Sequence, residues 1–89
     1  MKIVTVCGMG LGSSLMLKMT VEKVLKEKGI KATVETCDFS AVSGVEADII
    51  LTNAEFAKQI NHAQAKVAAV RNIASQEEVS TVLEQLLED

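Results

Sequence analysis

Residues 2–14 read Lys-Ile-Val-Thr-Val-Cys-Gly-Met-Gly-Leu-Gly-Ser-Ser, and this stretch decides the fold. Lys2–Val6 is a short, β-branched run that ends at glycines, which predicts a buried strand. The alternating glycines that follow open backbone conformations closed to other residues, so several N–H groups can converge. Convergent N–H groups at a helix N-terminus, together with the helix dipole, form an anion site suited to phosphate. We therefore predict a phosphate-binding loop built from Gly8, Met9, Gly10, Leu11, Gly12, Ser13 and Ser14.

Cys7 stands at the mouth of this loop, and its thiol is the candidate nucleophile. The positive field that attracts phosphate also stabilises a thiolate, which lowers the pKa of the thiol. A thiolate inside a phosphate loop can attack phosphorus. The hydroxyls of Ser13 and Ser14 add hydrogen-bond donors and can cap the helix. The alternative is a glycine-rich turn beside a buried, inert cysteine; three glycines directly after Cys7 favour the reactive interpretation.

Beyond the loop, helical and strand patterns alternate along the chain. Ser14–Lys28 has a helical period, and Gly29 follows it as a left-handed C-terminal cap. The predicted apolar helix faces are Leu17, Val21, Val24 and Leu25, then Phe56 and Ile60, then Val79, Val82, Leu83, Leu86 and Leu87. The other predicted elements are an edge strand Lys31–Thr36, an irregular segment Asp38–Gly44, strands Asp48–Thr52 and Ala65–Val70, and capping boxes Thr52/Glu55 and Ser75/Glu78.

This alternation predicts one three-layer α/β domain over residues 1–89, with a four-stranded parallel sheet and right-handed crossovers. The expected fold is Rossmann-like and similar to that of low-molecular-weight phosphatases. Ligands of such sheets bind outside the carboxyl ends of the strands, where we expect Cys7, Cys37, Asn53 and Arg71 to collect. Cys37 could be a redox partner that blocks Cys7, but a packing role for a small apolar side chain is favoured.

Composition excludes several classes of function. The 89 residues carry a net charge of −3, two aromatic side chains and one histidine, which disfavours nucleic-acid binding and a histidine-built metal site. Two cysteines do not make a disulfide scaffold and fit a reducing compartment. The uncharged run Ile3–Leu17 is shorter than the ~20 residues of a membrane span, and no signal cleavage site follows it. We predict a cytoplasmic protein that does not span the membrane.

Other phosphate motifs disagree with the sequence in detail. No lysine follows Gly12, as a Walker A loop requires, and the glycine spacing is not that of a dinucleotide fingerprint. Low-molecular-weight cysteine phosphatases have Cys-x5-Arg-[Ser/Thr] after their first strand, whereas Ser13 stands in the arginine position here. Their Asp-Pro general acid is also impossible in a chain without proline. A protein that holds phosphate on a thiol without hydrolysing it is a phosphocarrier.

Cys7 through Ser14 match the pattern Cys-Gly-x-Gly-x-Gly-Ser-Ser, and Leu-Met-Leu-Lys-Met follows at residues 15–19. In these residues, and in Ala-Asp-Ile-Ile at 47–50, the chain resembles the enzyme IIB components of the bacterial phosphoenolpyruvate-dependent sugar phosphotransferase system, of the ascorbate type and with a galactitol-like architecture. The resemblance implies a phosphotransferase with a phosphocysteine intermediate. Cys7 would receive a phosphoryl group from a phosphohistidine of a IIA component and pass it to a sugar bound by a membrane IIC component, with L-ascorbate as the candidate sugar.

The resemblance further implies a cytoplasmic protein associated peripherally with a membrane transporter, and it requires no metal or organic cofactor. A small cysteine phosphatase and a non-enzymatic phosphate-binding module remain the alternatives. Met9 and Leu11 are expected at a partner interface, whereas Met19 is expected in the core. His62 is expected on the solvated surface. Arg71 could contact phosphate or a partner, and ordinary solvation of the loop is an equal alternative.

Overall fold

The fold is built on four parallel strands, β1 (Lys2–Val6), β2 (Thr33–Cys37), β3 (Ile49–Thr52) and β4 (Lys66–Ala69). The computed structural model describes residues 1–6, 11–62 and 64–87, the side chains of 11–14 excepted. The strand order is β2-β1-β3-β4, so the predicted parallel sheet and the edge position of β2 are confirmed. β2 starts two residues later than predicted, because strand pairing begins where the N–H of Thr33 donates to the carbonyl of Met1 at 2.9 Å.

The helices are α1 (Leu11–Lys28), α2 (Ala54–Gln59) and α3 (Gln76–Leu87), with a 3₁₀ helix at Phe39–Gly44. α1 begins three residues before the predicted Ser14, so the second half of the predicted loop is helical. Glycine and serine are tolerated there because the N–H groups of a first helical turn have no intrahelical partners. Among the described residues, no helix is long and apolar enough to cross a membrane.

Alternate residues of the central strands separate two apolar layers. Ile3, Ile49 and Leu51 face the larger layer, while Val4 and Ile50 face the smaller one. In the larger layer α1 and α3 cover the sheet, with Leu17, Val21, Val24, Leu25, Val79 and Leu83 buried as predicted. In the smaller layer the 3₁₀ helix and α2 cover the sheet, with Phe56 and Ile60 half-buried against Val42 and Ala47.

Leu87 departs from the predicted apolar face of α3, since 39% of its surface is exposed. The last turn of α3 reaches the amino-terminal edge of the sheet, where Leu87 borders a shallow cavity with Met1 and Lys66. It therefore has no sheet surface to pack on.

The C-terminus of α1 confirms the predicted glycine cap. Gly29 has a φ of +70°, in the left-handed region. The N–H of Ile30 donates to the carbonyl of Leu25 at 2.9 Å, and the N–H of Gly29 donates to that of Lys26 at 3.2 Å. This pair of bonds is the Schellman motif, which ends the helix and turns the chain toward β2.

Candidate functional site

The carboxyl ends of the four strands form one edge, as the sequence predicts. Register pairs Val6 with both Cys37 and Thr52, and Thr52 with Ala69. Cys37 therefore ends β2 at this edge, while Asn53 and Arg71 follow the ends of β3 and β4. Cys7, Gly8, Met9 and Gly10 lie outside the described residues. The first turn of α1 consists of Leu11, Gly12, Ser13 and Ser14, and it contains no acidic residue.

A buried hydroxyl fixes the end of β1. Oγ1 of Thr52, which is fully buried, donates to the carbonyl of Val6 at 2.6 Å. Val6 immediately precedes Cys7 in the chain, so this bond sets the starting point of the candidate loop. Sequence reasoning missed this role, although a threonine at the end of an otherwise apolar strand was a signal for it.

The predicted cap of α2 at Thr52 is wrong. Asn53 is the N-cap, and its Oδ1 accepts from the N–H of Phe56 at 2.8 Å. Thr52 lies one residue too early, because it is the last residue of β3, and its hydroxyl points to the carbonyl of Val6 instead. The helix consequently starts at Ala54, one residue beyond Asn53.

The loop between β4 and α3 is held by the carboxylate of Glu78. This group accepts from the N–H of Arg71 at 2.6 Å and from that of Asn72 at 2.9 Å. The two backbone donors, chiefly that of Arg71, lower the pKa of Glu78 although partial burial opposes them. The arrangement holds the loop at the carboxyl edge of the sheet through backbone groups, while the side chain of Arg71 is exposed.

Only half of the predicted capping box at the start of α3 is present. Oγ of Ser75 accepts from the N–H of Glu78 at 3.1 Å, as predicted. The N–H of Ser75, however, donates to the carbonyl of Asn72 at 3.0 Å. The carboxylate of Glu78 therefore accepts from the N–H groups of Arg71 and Asn72 instead, and it acts as a clamp on the β4–α3 loop.

A second tie joins this loop to α1. Oγ1 of Thr20, a buried side chain, donates to the carbonyl of Ile73 at 2.7 Å. The loop is thus fixed against the middle of α1 at one point and against α3 at another. The sequence contains no local signal for a contact between residues so far apart.

Cys37 is half-buried, and its Sγ donates to the carbonyl of Asp38 at 3.1 Å. Burial, and secondarily the charge of Asp38, raise the pKa of this thiol. The side chain packs against the smaller apolar layer. These features fit the favoured packing role, since a protonated thiol is a poor nucleophile.

His62 is not the solvated side chain that we expected. Its Nε2 lies 2.6 Å from the carbonyl of Val45, and its Nδ1 accepts from the N–H groups of Gln64 at 3.2 Å and Ala65 at 3.0 Å. Because Nδ1 accepts hydrogen bonds, the ring carries its proton on Nε2. The ring ties the α2–β4 connection to Val45, in the segment between the 3₁₀ helix and β3. This is a structural role, because both ring nitrogens are committed to backbone groups.

Exposed apolar side chains flank the start of α1. Leu15, Met16 and Met19 are 52%, 49% and 56% exposed. The expectation that Met19 lies in the core is wrong, because the helix turns this residue away from the sheet. No group of three potential metal ligands occurs among the described residues.

The fold has counterparts among solved structures. The lactose-specific IIB domain from Streptococcus pneumoniae superposes with a TM-score of 0.64 at 16% identity, covering 99% of this chain and 95% of that one. A low-molecular-weight protein tyrosine phosphatase from Bacillus subtilis gives a TM-score of 0.58 at 14% identity, with 99% and 95% covered. These likenesses define the class, a small parallel α/β protein with the architecture shared by IIB domains and these phosphatases.

Sequence comparisons decide between the two. The family model described as "PTS system, Lactose/Cellobiose specific IIB subunit" matches residues 2–85. An ascorbate-specific EIIB component from Mycoplasma pneumoniae is 35% identical over 88 residues, covering 96% of this chain and 93% of the relative. One from Salmonella typhimurium is 39% identical over 79 residues, covering 83% and 76%. The chain belongs to the IIB family of the sugar phosphotransferase system, whose members work with IIA and IIC partners, and is a phosphotransferase of sugar transport.

Proposed function

We propose that Cys7 is the phosphoryl acceptor of this IIB protein, receiving the group from a phosphohistidine of a IIA component and passing it to a sugar held by a membrane IIC component. The observation that carries the proposal is the position of Cys7 in the chain. It follows the hydrogen-bonded end of β1 directly and precedes the start of α1 at Leu11 by four residues. A nucleophile so placed meets the positive end of a long helix at the ligand-binding edge of a parallel sheet.

The proposed chemistry is two successive displacements at phosphorus. The thiolate of Cys7 attacks, the S–P bond forms, the P–N bond to the donor imidazole breaks, and the imidazole nitrogen takes up a proton. A sugar hydroxyl then attacks, the O–P bond forms with loss of the hydroxyl proton, and the S–P bond breaks to restore the thiolate. Backbone N–H groups around Gly8, Gly10 and Gly12 and the hydroxyls of Ser13 and Ser14 stabilise the charge of the transferring group.

Residues 8–14 are proposed as the phosphate-binding segment as a whole. Met9 and Leu11 contribute backbone donors to it, and their side chains form the rim that a partner approaches. The first turn of α1 supports this assignment because residues 11–14 include no carboxylate that would repel a phosphoryl dianion.

Transfer is favoured over hydrolysis by two residue types that the sequence lacks where a phosphatase needs them. Ser13 stands where the phosphatase family has its arginine, so no guanidinium is available from that position to clamp the phosphoryl group. The chain has no proline and therefore no Asp-Pro general acid. This chain has a fold similar to that of the Bacillus subtilis phosphatase, but a similar fold does not provide it with an arginine or a general acid.

L-Ascorbate is the proposed sugar, because two relatives that align with most of this chain are named ascorbate-specific. The proposed place of action is the cytoplasmic face of the membrane, beside the IIC transporter. Sugar phosphorylation by membranes that carry an ascorbate-type IIC should then require this protein and L-ascorbate. Equal phosphorylation of lactose or cellobiose with their IIC components would contradict the ascorbate assignment.

Mass spectrometry after incubation with phosphoenolpyruvate, the general phosphotransfer proteins and a IIA component tests the acceptor. We expect one phosphoryl group on Cys7, and complete loss of sugar phosphorylation in Cys7→Ser. Cys37→Ser is the matched control and should retain most of the activity. A phosphoryl group on His62, or none at all, would contradict the proposal. Steady release of phosphate from an aryl phosphate would identify a phosphatase instead.

A further inference from the structure

Three large apolar side chains form a continuous exposed stripe on α1. Leu15, Met16 and Met19 are each about half exposed, and we call this set the α1 stripe. The opposite face of the same helix, with Leu17 and Val21, is fully buried. The α1 stripe is therefore not needed to hold the helix on the sheet.

The α1 stripe is one wall of a groove of about 390 Å³. Ala74 and Gln76 form the other wall, on the loop between β4 and α3 and the start of α3. The hydrogen bond from Thr20 to the carbonyl of Ile73, 2.7 Å long, joins the two walls. Because the walls are tied together, the groove exists before any partner binds, which reduces the entropy lost on docking.

Location and size narrow the identity of the occupant. The α1 stripe begins four residues after the N-terminus of α1, on the side of the sheet where the strands end and where Cys7 is proposed to meet its partners. Three half-exposed side chains offer roughly 300 Å² of apolar surface, against the ~800 Å² per partner of a stable interface. A permanent dimer of this chain needs more. Transient complexes lie at the small end of the range of interface sizes, so a partner that binds briefly and leaves, as in a phosphoryl relay, fits this surface better.

The charges beside the α1 stripe are mainly positive. Lys23 lines the groove, and Lys23 and Lys26 line a smaller neighbouring cavity of about 260 Å³ with Met19 and one carboxylate, Glu22. Cytoplasmic loops of membrane proteins are rich in Lys and Arg, so a membrane IIC component would bring like charge to this surface. A protein with acidic residues around an apolar contact is complementary to it.

We propose that the α1 stripe and its groove are the docking surface of the phosphoryl donor, the IIA component, and that the IIC component approaches Cys7 from another side. The proposal rests on the function proposed above. It assigns an apolar ridge on the donor to the groove and acidic donor residues to Lys23 and Lys26. The donor step and the sugar step therefore depend on different surface residues of the same protein.

Two variants test the proposal. Met16→Ser combined with Met19→Ser removes apolar surface from the α1 stripe. Lys23→Glu reverses the charge of the lysine that lines the groove. Leu87→Ser and Lys31→Glu are the matched controls, because both residues are exposed and lie away from the α1 stripe. Each protein is first phosphorylated with excess IIA, so that the sugar step can be measured separately with membranes carrying IIC.

We expect the KM for phosphorylated IIA to rise about tenfold in the double variant, as for loss of a small apolar contact centre. In Lys23→Glu the rate of transfer from IIA should fall severalfold at low salt and recover at high salt. The rate of transfer to sugar should stay within about twofold of wild type in both. The two controls should match the wild type at both steps.

Equal losses at the donor and sugar steps, a loss at the sugar step alone, or no loss at either step would each overturn the proposal. Chemical shifts of the backbone amides give a second readout without phosphoryl transfer. Unphosphorylated IIA should perturb residues 15–26 and 73–76, and perturbation confined to other surfaces would also overturn it. Failure of the proposed function is distinguishable, since the wild type would then carry no phosphoryl group on Cys7.

Discussion

At the scale of single residues, the carboxyl edge of the sheet is shaped by polar side chains that reach distant backbone groups. Thr52 donates to Val6, 46 positions earlier in the chain, and Thr20 donates to Ile73, 53 positions later. Each hydroxyl joins two elements that the sequence separates. The position of the candidate loop therefore depends on the sheet and the helices together.

Thr52→Val tests whether the end of β1 is set by this hydroxyl. The substitution preserves shape but removes the donor to the buried carbonyl of Val6, which should lower the free energy of unfolding by about 1–2 kcal/mol. If Cys7 is the phosphoryl acceptor, as proposed, transfer to it should slow as well, because Val6 is its neighbour. The comparison is Thr36→Val in β2, a half-buried threonine with no side-chain hydrogen bond in the described part of the chain. Equal effects of the two substitutions on urea unfolding would contradict the role of Thr52.

The sequence could indicate that Thr52, Ser75 and Glu78 are hydrogen-bonding residues, but not always with whom. A capping box is a local pattern, and it was right for Ser75 because Glu78 is three residues away. It was wrong for Thr52 because the helix begins one residue later, so that Asn53 occupies the N-cap position. The hydrogen bonds of His62 were not predicted at all. Its carbonyl partner lies 17 positions away, and a lone histidine in a polar segment gives no periodic signal.

At the scale of elements, α1 shows which boundaries a sequence can define. Its C-terminus was predicted at the correct residue, because Lys28-Gly29 combines a basic last turn with a glycine that adopts a left-handed conformation. Its N-terminus was predicted three residues late, because Leu-Gly-Ser-Ser shows neither amphipathic spacing nor helix-forming residues throughout. The same glycine and serines suggested a loop, so the start of the helix was placed too late.

Gly29→Ala tests the cap of α1. Gly29 has no neighbour within 4 Å of an added Cβ, so the expected cost comes from its φ of +70° alone. We expect the free energy of unfolding to fall by about 1 kcal/mol. Gly44→Ala is the control, since that site is equally open and has no positive φ. Similar thermal midpoints for the two variants would show that the left-handed cap does not stabilise α1.

Glu78→Gln tests the clamp on the β4–α3 loop through its pH dependence. Because the pKa of Glu78 is lower in the folded protein, its carboxylate stabilises the fold at neutral pH. That stability is lost as the pH falls below the ordinary value of 4.5 and through the lowered folded value. The variant should therefore unfold at lower urea than the wild type at pH 7, and the difference should shrink toward zero on acidification.

Glu77→Gln is the control for this prediction. It removes the same charge from the first turn of α3, and the Glu77 side chain accepts no backbone hydrogen bond in the described part of the chain. Its loss of stability at pH 7 should be the smaller one. A difference between Glu78→Gln and wild type that persists unchanged at acid pH would contradict the clamp.

At the scale of the whole molecule, the two faces of the sheet are covered unequally. In the described part of the chain, one face carries α1 and α3 over the larger apolar layer, and the other carries the 3₁₀ helix and the short α2 over the smaller one. The parallel α/β architecture was predictable from alternation alone, because buried strands and amphipathic helices follow each other along the chain. The unequal cover of the two faces was not predictable, since it depends on how closely each helix packs against the sheet.

The unequal layers predict two classes of backbone amide in native-state hydrogen exchange. α2 has six residues and no buried side chain, so its amides should exchange through local opening. Amides near Leu17 and Val21 lie where the packing is complete, so they should exchange only when the whole protein unfolds. Low concentrations of urea separate the classes, because global unfolding exposes much surface and local opening exposes little. Exchange should accelerate steeply with urea at Val21 and hardly at all at Ala57. The same steep dependence at both would mean that the two layers unfold together, and that α2 is held by more than its few apolar contacts.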